Sequence, residues 1–224
     1  MSQHALVTGG AGFIGSRVAR RLLEAGWRVT VLDNLSMGTR ETLPDGVNFV
    51  EGDVRDTDLV REVTRGVEAI FHLAAIVSIR ASVDNFYQDA QVNLMGTLNL
   101  LEAAVRNGVP RFIYASSMAV YADAPTPTPI SESHPTQPVS PYGIAKLAGE
   151  QYVLNLAQQF GFEGVVLRYF NTFGPGQSFT PYVGVTTIFI RRLLQGESLT
   201  IFGDGEQRRD FVHVVDVAAA TVAA

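Results

Sequence analysis

The sequence predicts an α/β protein built on a doubly wound parallel sheet, followed by a smaller second lobe. Apolar runs of strand length alternate with helical patterns through most of the chain. This alternation is typical of parallel strands joined by crossover helices, and such sheets bind ligands at the carboxyl ends of their strands. The predicted strands are 4–8, 28–32, 47–50, 69–73, 112–115 and 165–169, and the main later helices are about 56–65, 85–107 and 142–160.

Composition argues against several classes of protein. The 224 residues are 46% hydrophobic and 17% charged, which is enough for a sizeable core. A net charge of −5 without a basic cluster argues against a nucleic-acid partner. The lack of cysteine excludes disulfides and a cysteine nucleophile, and no His, Asp or Glu spacing predicts a metal. With no apolar run of transmembrane length and no room for a signal peptide, we expect a cytoplasmic protein without a membrane partner.

We expect two parts of unequal size, a nucleotide-binding domain at 1–173 and the start of a substrate-binding lobe at 174–224. In the second part the pattern loosens into a Gly/Pro loop, a helix at about 183–195, a strand at 199–202 and a polar loop at 203–209. The sequence ends inside an apolar helical pattern without a cap, so the second lobe is expected to be incomplete.

Residues 4–33 have the pattern of a dinucleotide-binding unit. Glycines at 9, 12 and 15, and at 10, 12 and 15, satisfy two variants of the fingerprint between a strand and a helix. Glycine permits the tight turn and the close approach of a pyrophosphate, which then binds the amides that begin the helix. The next strand ends in Asp33, whose carboxylate can accept hydrogen bonds from both adenosine ribose hydroxyls and would repel a 2′-phosphate. NAD is therefore predicted rather than NADP.

A single lysine, Lys146, follows Tyr142 by four residues, and every other cationic residue is an arginine. On a helix this spacing places both side chains on one face. A compact ammonium, which shifts its pKa when desolvated, suits a tyrosine that must give up its phenolic proton. Together with the glycine turn, the pair indicates acid–base chemistry beside a bound dinucleotide.

The motifs also occur in the order of a known family. They are Thr8 to Gly15, Asp33 with Asn34, 52–54, 72–75, Ser116 with Ser117, Tyr142 with Lys146, and 168–171. The chain resembles the extended short-chain dehydrogenase/reductases, in their NAD-dependent epimerase/dehydratase group, and most of all the UDP-glucose (UDP-galactose) 4-epimerase type. The resemblance implies a Rossmann-like domain, bound NAD, a nucleotide-sugar substrate between two lobes, and a homodimer formed through the helices at about 85–107 and 142–160.

The resemblance also implies roles for individual side chains. Tyr142 would take the proton of the sugar 4-hydroxyl, Lys146 would lower the pKa of Tyr142 and hold the nicotinamide ribose, and Ser117 would hydrogen-bond the reacting oxygen. Substrate contacts are implied for Ser117, Tyr142, Asn171 and Arg209, with a plain surface role as the alternative for Arg209. Cofactor contacts are implied for Gly9, Gly12, Phe13, Ile14, Gly15, Asp33, Asn34, Asp53, Val54, Leu73, Ala74, Ala75, Asn93, Ser116, Tyr142, Lys146 and Phe170.

Some positions carry an alternative or depart from the family pattern. For Asn93 a structural role within its helix is an equal alternative, and His72 and His213 are interpreted as packing or hydrogen-bonding residues. Met118 and Ala119 stand where related 4,6-dehydratases and glucuronate decarboxylases carry an acid, so elimination of water lacks its catalyst. Val77 stands where some epimerases keep a lysine against the cofactor.

The resemblance and these departures together predict an NAD-dependent 4-epimerase of an NDP-hexose. A reductase or dehydrogenase of a related keto-sugar is an alternative, and a non-catalytic NAD-binding regulatory protein is another. The nucleotide stays open between UDP and dTDP, and the sugar between glucose, N-acetylglucosamine, galacturonate and a pentose.

Overall fold

The computed structural model describes residues 2–124, 128–177 and 184–224. Within these ranges the main sheet has six parallel strands in the order β3-β2-β1-β4-β5-β6, which confirms the doubly wound α/β prediction. Its strands are β1 (His4–Thr8), β2 (Arg28–Asp33), β3 (Asn48–Glu51), β4 (Ala69–His72), β5 (Arg111–Ser117) and β6 (Glu163–Tyr169).

Helices cover both faces of this sheet. The α-helices of the described residues are α1 (Gly15–Glu24), α2 (Thr57–Val63), α3 (Ile79–Asp84), α4 (Phe86–Ala90), α5 (Gly96–Asn107), α6 (Pro141–Phe160), α7 (Val185–Leu194) and α8 (Val214–Ala223). Because both faces are buried, the strands are apolar on both sides. Along β1, Leu6 packs into one core cluster, whereas Ala5 and Val7 pack into the other. No helix of the described residues is long and apolar enough to span a membrane.

The segment predicted as one helix at 85–107 is divided in the structure. It consists of α4, a π-helical turn at Gln91–Met95, and α5, which ends at Gly108 with φ 65°. The side-chain amide of Asn93, within the wide turn, donates to Asp89 Oδ1 at 2.8 Å and to the Ile76 carbonyl at 2.9 Å. Such turns often mark functional sites in helices, and this one faces α6.

Helix α6 begins as its sequence predicts and then packs unusually close to β5. Ser140 caps its first turn by accepting a hydrogen bond from the Gly143 amide at 3.1 Å, and Pro141 takes the first helical position. A Cβ on Gly143 would collide with the Ala119 carbonyl, and a Cβ on Gly149 would collide with the Tyr114 hydroxyl. The two glycines therefore allow the close contact between α6, β5 and the turn that follows β5.

The last part of the chain differs from the prediction. The strand predicted at 199–202 is wrong, because these residues form no strand in the structure. Two short strands form instead, β7 (Asn171–Phe173) and β8 (Phe211–His213), and they pair in parallel. Helix α8 packs against α1, with Ala218 in the same core cluster as Val18 and Leu22. The segment 214–223 thus packs on the main sheet layer, a placement that the sequence pattern did not indicate.

Candidate active site

The glycines of the turn between β1 and α1 stand where a side chain has no space. Gly9 has φ 71°, and a Cβ there would lie 2.7 Å from the Ala74 amide nitrogen. A Cβ on Gly15 would collide with the Gly9 carbonyl, and one on Gly12 would lie 3.1 Å from the same oxygen. The sequence therefore places glycine where the turn, the loop after β4 and the start of α1 meet.

The start of α1 is suited to an anion. Its N-terminal flanking residue is Ile14, and no side chain of the described residues caps the helix. The Ser16 and Arg17 amides donate to the Gly12 and Ile14 carbonyls, and the helix dipole favours negative charge at this end of α1. Arg17 donates to the Phe13 carbonyl at 2.7 Å and holds the preceding turn. The turn and the uncapped helix thus fit a pyrophosphate, as the fingerprint predicts.

Asp33 is the last residue of β2 and lies next to this turn. Its carboxylate accepts hydrogen bonds from the Ala11 amide at 2.9 Å and from the Leu35 amide at 2.8 Å. Asp53, two residues after the end of β3, is held by Arg55 and Asn34. The hydrogen bond from the Arg55 guanidinium is the main cause that lowers the pKa of Asp53 to about 2. Both acids stand at the predicted edge, and their ribose and adenine contacts stay predictions.

The loop after β4 carries more of the predicted cofactor positions. The Leu73 amide donates to the Thr8 carbonyl at 3.1 Å, and the Ala74 amide donates to the Thr8 hydroxyl at 3.2 Å. Asn93 exchanges two hydrogen bonds with the backbone of Ile76, each 2.9 Å long. The side chain of Asn93 therefore supports the loop, which favours the structural alternative; a cofactor contact at Asn93 stays a prediction.

Ser117, Tyr142 and Lys146 come together at the carboxyl end of β5. Tyr142 and Lys146 lie on one face of α6, with 7% and 2% of their surface exposed. The Ser117 side chain lies near the Tyr142 hydroxyl and favours its ionised form. Lys146 Nζ donates to the Ala115 carbonyl at 2.9 Å and lies 6.0 Å from the centre of the Tyr142 ring. The grouping matches the constellation that the sequence predicted, and the roles of its members stay proposals.

Burial opposes ionisation of both groups on α6. Desolvation raises the pKa of Tyr142 to about 12, although the nearby Ser117 side chain acts in the opposite direction. Desolvation lowers the pKa of Lys146 to about 8, and the carboxylates of Asp89 and Glu150 counteract that shift. The lowering of the pKa of Tyr142 by Lys146 stays a prediction, since desolvation of the phenol is the largest effect on that pKa in this structure.

The structure brings in Glu150 and Arg168, to which the sequence analysis gave no role. Ser116, predicted to contact the cofactor, directs its hydroxyl to the buried carboxylate of Glu150. Glu150 also pairs with Arg168, at 2.7 Å between Oε2 and Nη2. Glu150 follows Lys146 by four residues on α6, so the helical spacing that identified Lys146 also contained this signal.

A cavity of about 320 Å³ lies beside β7 and β8. Its lining includes Asn171 and Arg209, the two residues predicted for the diphosphate side of the substrate. The Asn171 amide donates to the Asp210 carbonyl at 3.0 Å. Phe170, predicted to contact the cofactor, lies 6.2 Å from the Tyr121 ring, centre to centre.

His72 and His213 both make hydrogen bonds within the fold. His72 bonds Thr8 at 2.7 Å and Thr97 at 2.9 Å, and His213 accepts from the Val215 amide at the start of α8. The interpretation of His72 and His213 as hydrogen-bonding residues is confirmed. Among the described residues, no group of three His, Cys, Asp or Glu is arranged to hold a metal ion.

The fold and the site together define a dinucleotide-dependent enzyme of the short-chain dehydrogenase/reductase type. The chain belongs to the NAD dependent epimerase/dehydratase family, whose model matches residues 5–224. The family predicted from the motifs is therefore confirmed. NAD, the predicted cofactor, is the cofactor of this family.

Proteins of known sequence or structure show the same relationship. A UDP-glucose 4-epimerase of Mycolicibacterium smegmatis is 41% identical over 225 residues, which cover 98% of this chain and 72% of that protein. The structure of the Thermotoga maritima UDP-glucose 4-epimerase with UDP-glucose is 42% identical with a TM-score of 0.94, over 98% of this chain and 72% of that one. The structure of the Thermus thermophilus UDP-glucose 4-epimerase in complex with NAD is 41% identical with a TM-score of 0.91, over 97% of this chain and 73% of that one.

Proposed function

We propose that the protein is an NAD-dependent 4-epimerase of a nucleoside diphosphate hexose. The observation that carries this proposal is the contact of Tyr142 with Ser117, with Lys146 one helical turn away, at the sheet edge next to the uncapped start of α1. The similarity to three UDP-glucose 4-epimerases supports it and favours UDP as the nucleotide.

In this proposal each side chain has a defined task. Tyr142 accepts the proton of the sugar 4-hydroxyl and returns it after the 4-keto sugar has turned over. Ser117 hydrogen-bonds the same oxygen and holds it next to the phenol. Lys146 supplies a fixed positive charge next to the phenolate. NAD, when bound, would supply a hydride acceptor for C4 and a second positive charge that favours ionisation of a phenol with a pKa of about 12.

The cavity next to β7 and β8 fits the nucleotide part of such a substrate. Arg209 and Asn171 line it, and a guanidinium suits bidentate binding of phosphate oxygens. Met118 and Ala119 occupy the turn after Ser117, so that turn offers no acid for the elimination of water. This favours epimerisation over dehydration.

The test is incubation of the purified protein with a panel of UDP- and dTDP-sugars without added cofactor, with NMR detection of the C4 epimer. We expect one or more epimers and no net rise in absorbance at 340 nm, because the hydride returns to the sugar. Absorbance that grows in step with sugar consumption would support the dehydrogenase alternative instead. Tyr142→Phe is the control and should form no epimer.

We also propose that the protein forms a homodimer through α4 and α6. These helices pack against each other, and their outer faces expose Phe86, Tyr87, Ile144 and Tyr152. Apolar side chains of this size on neighbouring helices are typical of an interface between subunits. Tyr152→Asp should shift the sedimentation of the protein from dimer to monomer, whereas Gln195→Asp, on an exposed position after α7, should not.

A further inference from the structure

Glu150 is a buried carboxylate that the proposed Ser117–Tyr142–Lys146 chemistry does not use. Its side chain is 1% exposed and lies on the same face of α6 as Tyr142 and Lys146. A buried carboxylate is costly unless charged and polar partners satisfy it. The partners of Glu150 therefore indicate what this residue does.

The carboxylate of Glu150 joins two neighbouring strands of the sheet. Oε1 accepts from the Ser116 hydroxyl and from Arg168 Nε, and Oε2 accepts from Arg168 Nη2. Ser116 and Arg168 stand opposite each other in the register of β5 and β6. The Arg168 guanidinium also stacks over the Tyr121 ring at 4.6 Å, just after the turn at Met118–Val120. Glu150 thus ties together α6, the ends of both strands and the segment that follows β5.

Two successive turns of α6 hold two successive residues of β5. Lys146 donates to the Ala115 carbonyl, and Glu150, four residues later, accepts from the Ser116 hydroxyl. Ser117 is the next residue of the strand, and its side chain lies near the hydroxyl of Tyr142 on the same helix. The contacts of Ala115 and Ser116 with α6 therefore set the position of Ser117 relative to Tyr142.

We propose that Glu150 is a positioning residue, which holds the end of β5 through Ser116 so that Ser117 stays within hydrogen-bonding reach of Tyr142, and which attracts the ammonium of Lys146. This inference rests on the proposed epimerase function for its kinetic test. Several charged or titratable groups face Lys146 from the surrounding elements: His72 of β4, Asp89 of α4, Tyr114 of β5, and Tyr142 and Glu150 of α6.

The kinetic test is Glu150→Gln. A glutamine replaces one carboxylate oxygen with an NH2 group, which is a donor. If its oxygen faces the Ser116 hydroxyl, its NH2 group faces the Arg168 Nη2 donor, so the variant cannot keep the bonds that the carboxylate makes to both residues. We expect kcat for epimerisation to fall on the order of tenfold to a hundredfold, because small displacements of reacting groups have effects of this size. The KM for the sugar should change by less than about threefold, because the cavity next to β7 and β8 is untouched. The matched control is Glu163→Gln, which removes an exposed carboxylate paired with Arg111 and should leave kcat unchanged.

A double variant separates positioning from stability. Glu150→Gln alone leaves the Arg168 charge without its partner and should lower the melting temperature, whereas Glu150→Gln with Arg168→Gln removes both charges and should restore much of it. The low kcat should persist in the double variant. If kcat recovers together with the melting temperature, or if Glu150→Gln keeps the wild-type kcat, the proposal is overturned. The double variant also carries the kinetic test if the single variant does not fold.

The lone lysine gives a test that needs no turnover. Labelling with ¹⁵N-lysine gives a single side-chain signal, that of Lys146. Burial lowers the pKa of Lys146 to about 8, and the Glu150 carboxylate partly counteracts this shift. Without that carboxylate, in Glu150→Gln, the signal should titrate at a lower pH than in the control Glu163→Gln. An unchanged titration overturns the proposal. If the wild-type protein converts no sugar, the epimerase function fails, and this titration still decides whether Glu150 acts on Lys146.

Discussion

Lys146 donates a 2.9 Å hydrogen bond to the Ala115 carbonyl, and its ammonium lies 4.8 Å from the centre of the Tyr114 ring. The backbone oxygen and the aromatic face thus enclose a small cation inside the protein. A guanidinium, which is planar and larger, has no matching space there.

The first prediction concerns Lys146→Arg. We expect kcat for epimerisation to fall about a hundredfold, as after the loss of a positioned acid–base group, since the guanidinium would displace Tyr142 or Ala115. The melting temperature should also fall, because overpacking of a buried site costs about 1–3 kcal/mol. Arg106→Lys, the reverse exchange in an exposed pair with Glu102, should leave both values unchanged. Near-normal turnover in Lys146→Arg would show that the reaction needs only a positive charge at this position and not a lysine.

The second prediction concerns the choice of cofactor. The protein should bind NAD at least about tenfold more tightly than NADP, a difference of about 1.4 kcal/mol in binding free energy. Asp33→Ser should narrow that difference. It should also weaken NAD binding itself, because the Ala11 amide in the glycine turn loses its acceptor. Calorimetric titration measures the affinities for NAD and NADP, and Asp45→Ser, at an exposed position, is the control. Equal affinities of the wild-type protein for NAD and NADP would contradict the role of Asp33.

The third prediction concerns Gly15→Ala. The added methyl group would collide with the Gly9 carbonyl and distort the turn at the start of α1. We expect a loss of about 1–3 kcal/mol in stability and little rise in melting temperature when NAD is added. Gly108→Asn, at the left-handed end of α5, is the control and should keep its response to NAD. A normal NAD response in Gly15→Ala would mean that the pyrophosphate does not bind there.

The fourth prediction concerns pH and His72. Burial, with a smaller effect of the Lys146 charge, lowers the pKa of His72 to about 3. The unfolded chain, with an ordinary histidine pKa of about 6.5, therefore binds the extra proton between these values. By linkage, His72 makes stability fall as the pH falls through this window, by up to about 1.4 kcal/mol per pH unit.

The measurement is the free energy of unfolding by urea at several pH values from 7 to 4. His72→Gln should lose stability at pH 7, because Thr8 and Thr97 lose a partner, but its decline towards acid should be shallower than that of the wild type. Parallel curves for the two proteins would contradict a neutral, buried His72.

Local features of the sequence were sufficient to predict the strands of the main sheet and the positions of many residues of the candidate site. The glycine turn, Asp33 and the Tyr142–Lys146 spacing each lie within a few residues of a strand or helix end, so their positions follow from one element. Glu150 was missed because its importance depends on Ser116 and Arg168, which reach it from two other elements.

The later part of the chain was predicted less well for a related reason. The run at 199–202 is apolar enough for a strand, but a strand needs a partner, and β7 pairs instead with β8. Each of these strands has three residues, too few to give a periodic pattern. The division of 85–107 depends on the bonds of Asn93 to Ile76, which no helical periodicity reveals.

The two glycines on the inner face of α6 have a consequence for how the site forms. Each glycine within a helix lowers its intrinsic stability by about 1 kcal/mol relative to alanine. Gly143 and Gly149 flank Lys146, so the helix is weakest where it carries Tyr142 and Lys146. An isolated peptide with this sequence would be largely unfolded. We therefore expect the tyrosine and the lysine to reach their mutual geometry only when α6 packs on β5.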